Sequence, residues 1–360
     1  MLCARAGTRF NEEFGGLIKM LNVRQLRRLL LAAACSMCSM AAFAQAPIRI
    51  TFSHFLGPAS FFQTDLVEPW ARELEARSGG KVKVEVFNSS SRFGDARKQA
   101  TQVSDGAVDI ALGLRGAEGE RFWRTSIIEL PFVVPNADSG SKALWNLYKS
   151  GGLANEWDGY KVLALFVQNP GLVHTRHTRV VNLSDLKGLR LRAPNRTVSV
   201  ALESVGAIPM VMLPDELVPA MQAGRLDGII TNWGTPLPGF LDYMKQHTAV
   251  PFYASAFFIV MNKQRYESLP PDVKRAIEEV SGDALVAKFG GLWDRWDKPF
   301  LDGAHASDQE IVRLTPAQLR NWQEGLQPVS DRYIADLTQR GFTNARAVHA
   351  DLVNALNPKK

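Results

Sequence analysis

The sequence predicts an α/β fold in two lobes, and three observations carry that prediction. Strand-like runs alternate with helical ones along the chain, which argues for largely parallel sheets covered on both faces. More than 300 of the 360 residues remain after an export-type leader, enough for two lobes by the usual size of a single core. All three cysteines, Cys3, Cys35 and Cys38, fall in that leader, so the remainder must hold its shape by core burial and not by cross-links.

The leader spans residues 1–44. Arg24, Arg27 and Arg28 precede the apolar run Leu29–Ala34, and Ala42-Phe43-Ala44 before Gln45 is a small-x-small cleavage pattern, together a secretory signal peptide. Met20 is the expected start, with Met1–Lys19 an over-annotated extension. The apolar run is too short to span a bilayer of about 30 Å, so no membrane-spanning segment is expected. The leader holds six basic and two acidic residues of a chain with net charge +6, which leaves +2 for the mature protein. Without a basic patch interleaved with aromatics, a nucleic-acid partner is not expected.

The elements follow in order. Ile48–Phe52 and Lys81–Val86 alternate apolar with polar at period two and read as strands. Between them Val67, Trp70, Ala71 and Leu74 recur at helical spacing, Gly79-Gly80 supplies the stop, and Pro69 predicts a kink or a helix start close by. A helix around Asp95–Val103 closes at Gly106 and is followed by the strand Asp109–Leu112. A helix around Ser141–Lys149 stops at Gly151-Gly152 before the strand Lys161–Phe166. Val198, Ala201, Leu202 and Val205 mark a helix, Ala207–Met212 a strand and Asp215–Ala223 a helix closed by Gly224. From Pro270-Pro271-Asp272 a long helix is expected to run past Trp296, although Gly282 and Gly290-Gly291 weaken its continuity. Thr315, Pro316 and Gln318 open another helix with a capping box. These late helices read as braces across two lobes.

Within Leu189–Ala193 the side chains alternate, so Leu189, Leu191 and Ala193 face one way and Arg190 and Arg192 the other, until Pro194 ends the ladder. At the mouth of a strand, Arg192 offers a permanently charged fork that fits a carboxylate. The segment alone leaves open a surface arginine paired with a neighbouring acid. Elsewhere His174 and His177 stand three apart, a weak metal pair with no third ligand at a convincing distance. No Gly-x-Ser-x-Gly elbow, phosphate loop, dinucleotide fingerprint or His-Glu-x-x-His occurs, so neither an enzyme nor a cofactor is expected.

Several pieces, in this order behind an export signal, resemble the dicarboxylate-binding (DctP-type) solute-binding subunits of tripartite ATP-independent periplasmic (TRAP) transporters. They are Arg72–Val82 with Val84–Phe87, Gly106–Ile110, Arg121-Phe122 with Glu129–Phe132, Asp185–Pro194, Gly206–Pro209 and Gly224–Gly228. The resemblance implies a two-lobed periplasmic-binding-protein (Venus-flytrap) fold with long bracing helices. It implies a periplasmic clamp that captures a small organic acid and delivers it to TRAP membrane permease subunits driven by an ion gradient; a monomer is expected. In this frame residues 45–169 with 256–300 form lobe 1, 170–255 form lobe 2, and 301–360 are C-terminal helices across both. Hinges are expected near Asn169-Pro170 and Pro251-Phe252.

The resemblance assigns the ligand carboxylate to Arg192 and a polar contact to Asn232. Asn169 is expected to complete the shell. Trp233, Phe55 beside His54, Leu114 and Phe257 are expected to wall the pocket, with ordinary core packing as the alternative for the aromatics. The chain departs from some relatives in having Leu172–Thr175 where a second arginine stands, and Trp123 after Arg-Phe, so a second pocket cation is not assured; Arg115 and Arg121 are candidates. A monocarboxylate with a bulky or aromatic remainder is the expected ligand. A sensor for a membrane kinase would share the same binding chemistry.

Overall fold

A computed structural model describes residues 46–235, 237, 239–307 and 309–357; the expected leader lies outside the described residues. Among the described residues, the compact unit that begins at Ile48 holds eleven strands. They are β1 (Ile48–His54), β2 (Val82–Phe87), β3 (Ile110–Leu114), β4 (Tyr160–Val167), β5 (Gly171–Thr175), β6 (Arg190–Ala193), β7 (Ile208–Val211), β8 (Gly228–Thr231), β9 (Gln246–Tyr253), β10 (Ala256–Asn262) and β11 (Glu310–Arg313). One sheet has the order β2-β1-β3-β10-β4 and the other β11-β9-β5-β8-β6-β7.

The sheets are mixed and not largely parallel as the alternation of elements predicts. β10 runs antiparallel to both β3 and β4, and β5 antiparallel to both β8 and β9. The cause is the pair of direct links between the sheets. A helical crossover brings the chain back in the same direction, whereas the short passages β4 to β5 and β9 to β10 carry it into the other sheet with no helix between. The two passages touch, Gln168 N donating to Ser255 O at 3.1 Å.

Pro69 acts as expected. It lies in α1 (Glu68–Arg77), directly after a π-helical turn over Phe62–Val67; a proline has no N–H for the carbonyl one turn back, and the widened turn absorbs that gap. The helix Ser141–Lys149 begins earlier, as α2 (Ala137–Lys149), because the Asn136 side chain accepts from Ser139 N at 2.9 Å. Two further helices in this region are α3 (Arg196–Ser204) and α4 (Pro214–Gln222), and a short one is α5 (Phe240–Tyr243).

The expected long helix from Pro271 is three helices: Pro271–Glu279, Gly282–Val286 and α6 (Phe289–Ala306). Gly282 at φ +61° breaks the first from the second. Residues 301–360 are not all helix, since the four-residue β11 pairs in parallel with β9, too short a run to stand out in the sequence. α7 (Pro316–Gln339) opens with the predicted box, Thr315 N donating to Gln318 Oε1 at 2.8 Å. α8 (Ala345–Leu356) closes the fold.

Three apolar clusters fill the interior. The largest surrounds the first sheet, and the other two cover opposite faces of the second. α6 places Trp293 and Trp296 in the first cluster and Ala304 in the third. α7 places Trp322 and Leu326 in the second and Ile334 and Leu337 in the first. Both helices therefore tie the sheets together.

Candidate functional site

Between the strand ends of the two sheets lies a cavity of ≈ 1210 Å³. Phe55, Phe62, Leu114 and Phe257 from the first sheet's side, Arg192, Thr231 and Phe240 from the second, and Trp293 and Phe300 of α6 all line it. The strand alternation that turns Leu191 and Ala193 into the second core sends Arg192 to this opposite face.

Arg192 is 3% exposed. Its Nε donates to Met212 O at 3.1 Å and its Nη1 to Ile230 O at 3.2 Å, while no carboxylate among the described residues pairs with it. Burial lowers its affinity for the proton, and the nearby Tyr253 hydroxyl and Glu216 partly offset this. Arg190 on the same strand is the contrary case: its Nε and Nη2 grip Asp227 at 2.9 and 2.7 Å, and this pairing holds the Asp227 carboxyl below its ordinary range. The surface pairing left open by the sequence thus belongs to Arg190, and Arg192 is left as a buried cation with two backbone acceptors. Such a charge is costly until an anion compensates it.

Neutral polar groups share the cavity with Arg192. Tyr253, whose hydroxyl accepts from Gln168 Nε2 at 3.4 Å, lines the cavity with Gln168, Ser255, Ser60 and Thr235. Burial raises the Tyr253 pKa, with Arg192 acting the other way, so the phenol keeps its proton and can donate it to an acceptor. Toward solvent stand Arg92, Asp95, Arg97 and Asp215, with Arg97 3.6 Å from Glu216 of α4.

Of the residues singled out in the sequence, Arg192, Phe55, Leu114 and Phe257 line the cavity. Asn232, Trp233, Asn169 and His54 do not. Asn232 is buried and donates to Asp297 Oδ1 at 2.9 Å, while its own oxygen accepts from Thr235 Oγ1 at 2.8 Å; it stands one residue behind the lining. Asn169 donates to the other oxygen of Asp297 at 2.9 Å and accepts from Ala137 N at 2.8 Å, which caps α2. A carboxylate on α6, far along the chain, takes both amides. Trp233 packs against His174 and His247, with ring centroids 4.8 and 4.7 Å apart. His54 is fully buried; its Nδ1 accepts from Leu56 N at 3.3 Å and its Nε2 donates to Gln63 Oε1 at 3.1 Å. Desolvation brings its pKa down to about 4, so it is neutral.

Arg115 and Arg121 are not pocket cations either. Arg115 forms a buried ion pair with Glu129, and Arg121 donates to the Tyr160 hydroxyl at 2.8 Å. His174 makes no metal pair with His177: its ring is spent on His247 and Thr231 O. The sequence reading missed Tyr253, Gln168, Phe62, Trp293 and Phe300. Gln168 and Tyr253 flank the two expected hinges, which was a usable signal, whereas the α6 aromatics read as brace packing.

The comparisons with known proteins agree with this architecture. A family model described as bacterial extracellular solute-binding protein, family 7 (DctP) matches residues 52–336. A TRAP solute-binding protein from Rhodoferax ferrireducens, solved with copurified benzoate, is 29% identical with a TM-score of 0.78 and covers 85% of this chain and 98% of its own. A marine-metagenome TRAP solute-binding protein specific for aromatic acid ligands, solved with 3-hydroxybenzoate, is 28% identical with a TM-score of 0.81, covering 86% and 99%. The C4-dicarboxylate-binding periplasmic protein DctP of Rhodobacter capsulatus is 25% identical and covers 92% of this chain and all of its own. Among the described residues no helix is long and apolar enough to cross a membrane. With the family model spanning both sheets and their braces, the chain belongs to family 7 of the bacterial extracellular solute-binding proteins, the DctP-type solute-binding subunits of TRAP transporters.

Proposed function

We propose that this protein captures an aromatic monocarboxylate in the periplasm and passes it to a TRAP permease driven by an ion gradient. The observation that carries the reading is Arg192, a buried guanidinium without a carboxylate partner among the described residues, in a cavity walled by Phe55, Phe62, Phe257 and Trp293. The ligand carboxylate meets Arg192 and the Tyr253 hydroxyl, and the ring lies among the aromatics. A single buried cation fits a single carboxylate, since a second charge taken out of water needs its own partner. The complexes of two TRAP relatives with benzoate and 3-hydroxybenzoate support the same chemistry.

In this reading residues 1–44 are a cleaved signal peptide, and the hinges between lobe 1 and lobe 2 are at Asn169-Pro170 and, because the expected Pro251-Phe252 lies within β9, at the passage Ala254–Ser255 just beyond it. The ligand touches both lobes and so favours the closed state. Calorimetric titration with benzoate, 3-hydroxybenzoate and succinate tests the ligand class. Binding of the aromatic acids with none of succinate is the expected result, and preference for succinate would return the protein to the dicarboxylate type of its Rhodobacter relative. Loss of benzoate uptake in a deletion strain tests the permease partnership; unchanged uptake would favour a sensor.

A further inference from the structure

One row of side chains crosses the second sheet on the face that carries Arg192. By strand register Ile311, His247, His174, Ile229, Arg192 and Met210 stand opposite one another on successive strands, so they share that face. Only Ile229 separates His174 from Arg192, a gap of two strand spacings, about 10 Å.

The two imidazoles are joined in a chain whose ends both demand hydrogens. His174 Nε2 faces Thr231 O at 3.1 Å, a carbonyl that only accepts. His174 Nδ1 faces His247 Nδ1 at 2.8 Å, which needs one hydrogen between them. His247 Nε2 faces Gln309 Oε1 at 2.7 Å, and the Gln309 amide is oriented by Nε2 donating to Leu241 O at 2.6 Å. Three contacts need three ring hydrogens, whereas two neutral imidazoles carry two. The neutral pair leaves two lone pairs facing each other, and one added proton satisfies the whole chain.

The surroundings set when that proton enters. Burial disfavours the charge on both rings, and on His174 the neighbouring His247 adds to it. Arg192 on β6, Arg176 beyond β5 and Lys245 just before β9 are cations; Lys245 and His305 of α6 are exposed, as is Asp242 of α5. Glu310 of β11 is held by Arg179 at 2.5 Å, and Asp297 of α6 by Asn232, Asn169 and Gly234 N. No carboxylate among the described residues touches either ring. The cavity at Arg192, on the same sheet face two strands from His174, is a place where an anion can enter.

We propose that the His174–His247 pair is a proton site coupled to ligand capture: as a carboxylate settles on Arg192, the pair takes one proton from solvent and becomes a shared imidazolium. The inference rests on the reading of the cavity as a carboxylate site. The bound anion cancels the Arg192 charge that opposes the proton, and by reciprocity the proton tightens the anion. Full linkage of one proton makes benzoate affinity rise by at most about tenfold per pH unit as pH falls.

The test is nitrogen NMR of the histidine rings in the full chain between about pH 5 and 8, with and without benzoate. In the free protein, one proton entering both rings at a common midpoint supports the site; independent midpoints, or two rings that stay neutral until unfolding, overturn it. With benzoate the common midpoint moves upward and affinity becomes pH-dependent, a dependence that His247→Gln removes. Benzoate that binds with the midpoint unmoved overturns the coupling. Benzoate that does not bind at all removes the cavity reading and the coupling with it, and the ligand-free titration still decides the proton site.

Discussion

Asn232 donates its side-chain amide to Asp297 at 2.9 Å, and this bond, with Asn169 on the other carboxylate oxygen, fixes α6 to the second sheet and to the first interlobe passage. Burial raises the Asp297 pKa, and the amides oppose that shift. Asn232→Ala should therefore act on stability in the absence of ligand, by about 1–3 kcal/mol. Asp297→Asn should cost a similar amount, and the double variant less than their sum, because both remove one contact. Urea unfolding of the three variants measures this; strict additivity would detach Asn232 from Asp297.

Arg192 sets function against stability. Arg192→Met removes a buried charge that has no carboxylate partner among the described residues and fills its volume with an apolar chain. The ligand-free melting temperature should hold or rise, while benzoate affinity falls by about a hundredfold or more, given about 2–5 kcal/mol for one partner of a buried charge pair. A variant that melts well below the wild type would mean that the guanidinium serves the fold.

Glu129 binds three partners: Arg115, Ala256 N at 2.9 Å and Asn195 Nδ2 at 3.3 Å. It thereby joins the first sheet's loop, the second passage and the N-cap of α3. Glu129→Gln leaves Arg115 buried without its counter-charge and should lower stability by about 3–5 kcal/mol. The denaturation midpoint reads this directly, and a loss under about 1 kcal/mol would place the pair among screened surface contacts.

His54 makes stability depend on pH. Its pKa is about 4 in the fold against 6.5 unperturbed, so between these values the unfolded chain binds a proton that the folded chain refuses. Stability is full above about pH 6.5 and is lost as pH falls toward 4, by up to about 3 kcal/mol for this group. His174, His247 and His349 are shifted in the same direction, so the readout is the difference in slope between wild type and His54→Gln. Parallel slopes would clear His54 of the effect.

Much of this was legible in the sequence because it is periodic. Alternation in Leu189–Ala193 gives Arg192 its face, and Thr315-Pro316-x-Gln318 gives α7 its start. Alternation cannot say which arginine is free, since the partner of Arg190, Asp227, arrives from a distant segment. The same limit governs Asn232 and Asn169: their spacing suits a ligand shell, yet a carboxylate on α6 claims them. Phe62 and Trp293 reach the cavity from a π-helical turn and a brace, elements whose inward face is set by packing and not by local pattern.

Gly171 holds the aromatic rim of the site in place. It stands opposite Tyr253 in the β5–β9 register, and a Cβ there would lie 2.2 Å from Tyr253 Cε1, a distance that forces the ring to move. Tyr253 is 2% exposed and borders Arg192, so a shift of its ring disturbs the site. Gly171→Ala should cost about 1–3 kcal/mol of stability, as overpacking does, and weaken benzoate by about tenfold or more through the displaced hydroxyl. Adding Tyr253→Val relieves the clash, so the double variant should regain stability without regaining affinity. If Gly171→Ala alone binds benzoate like the wild type, the Tyr253 hydroxyl has no part in holding the carboxylate.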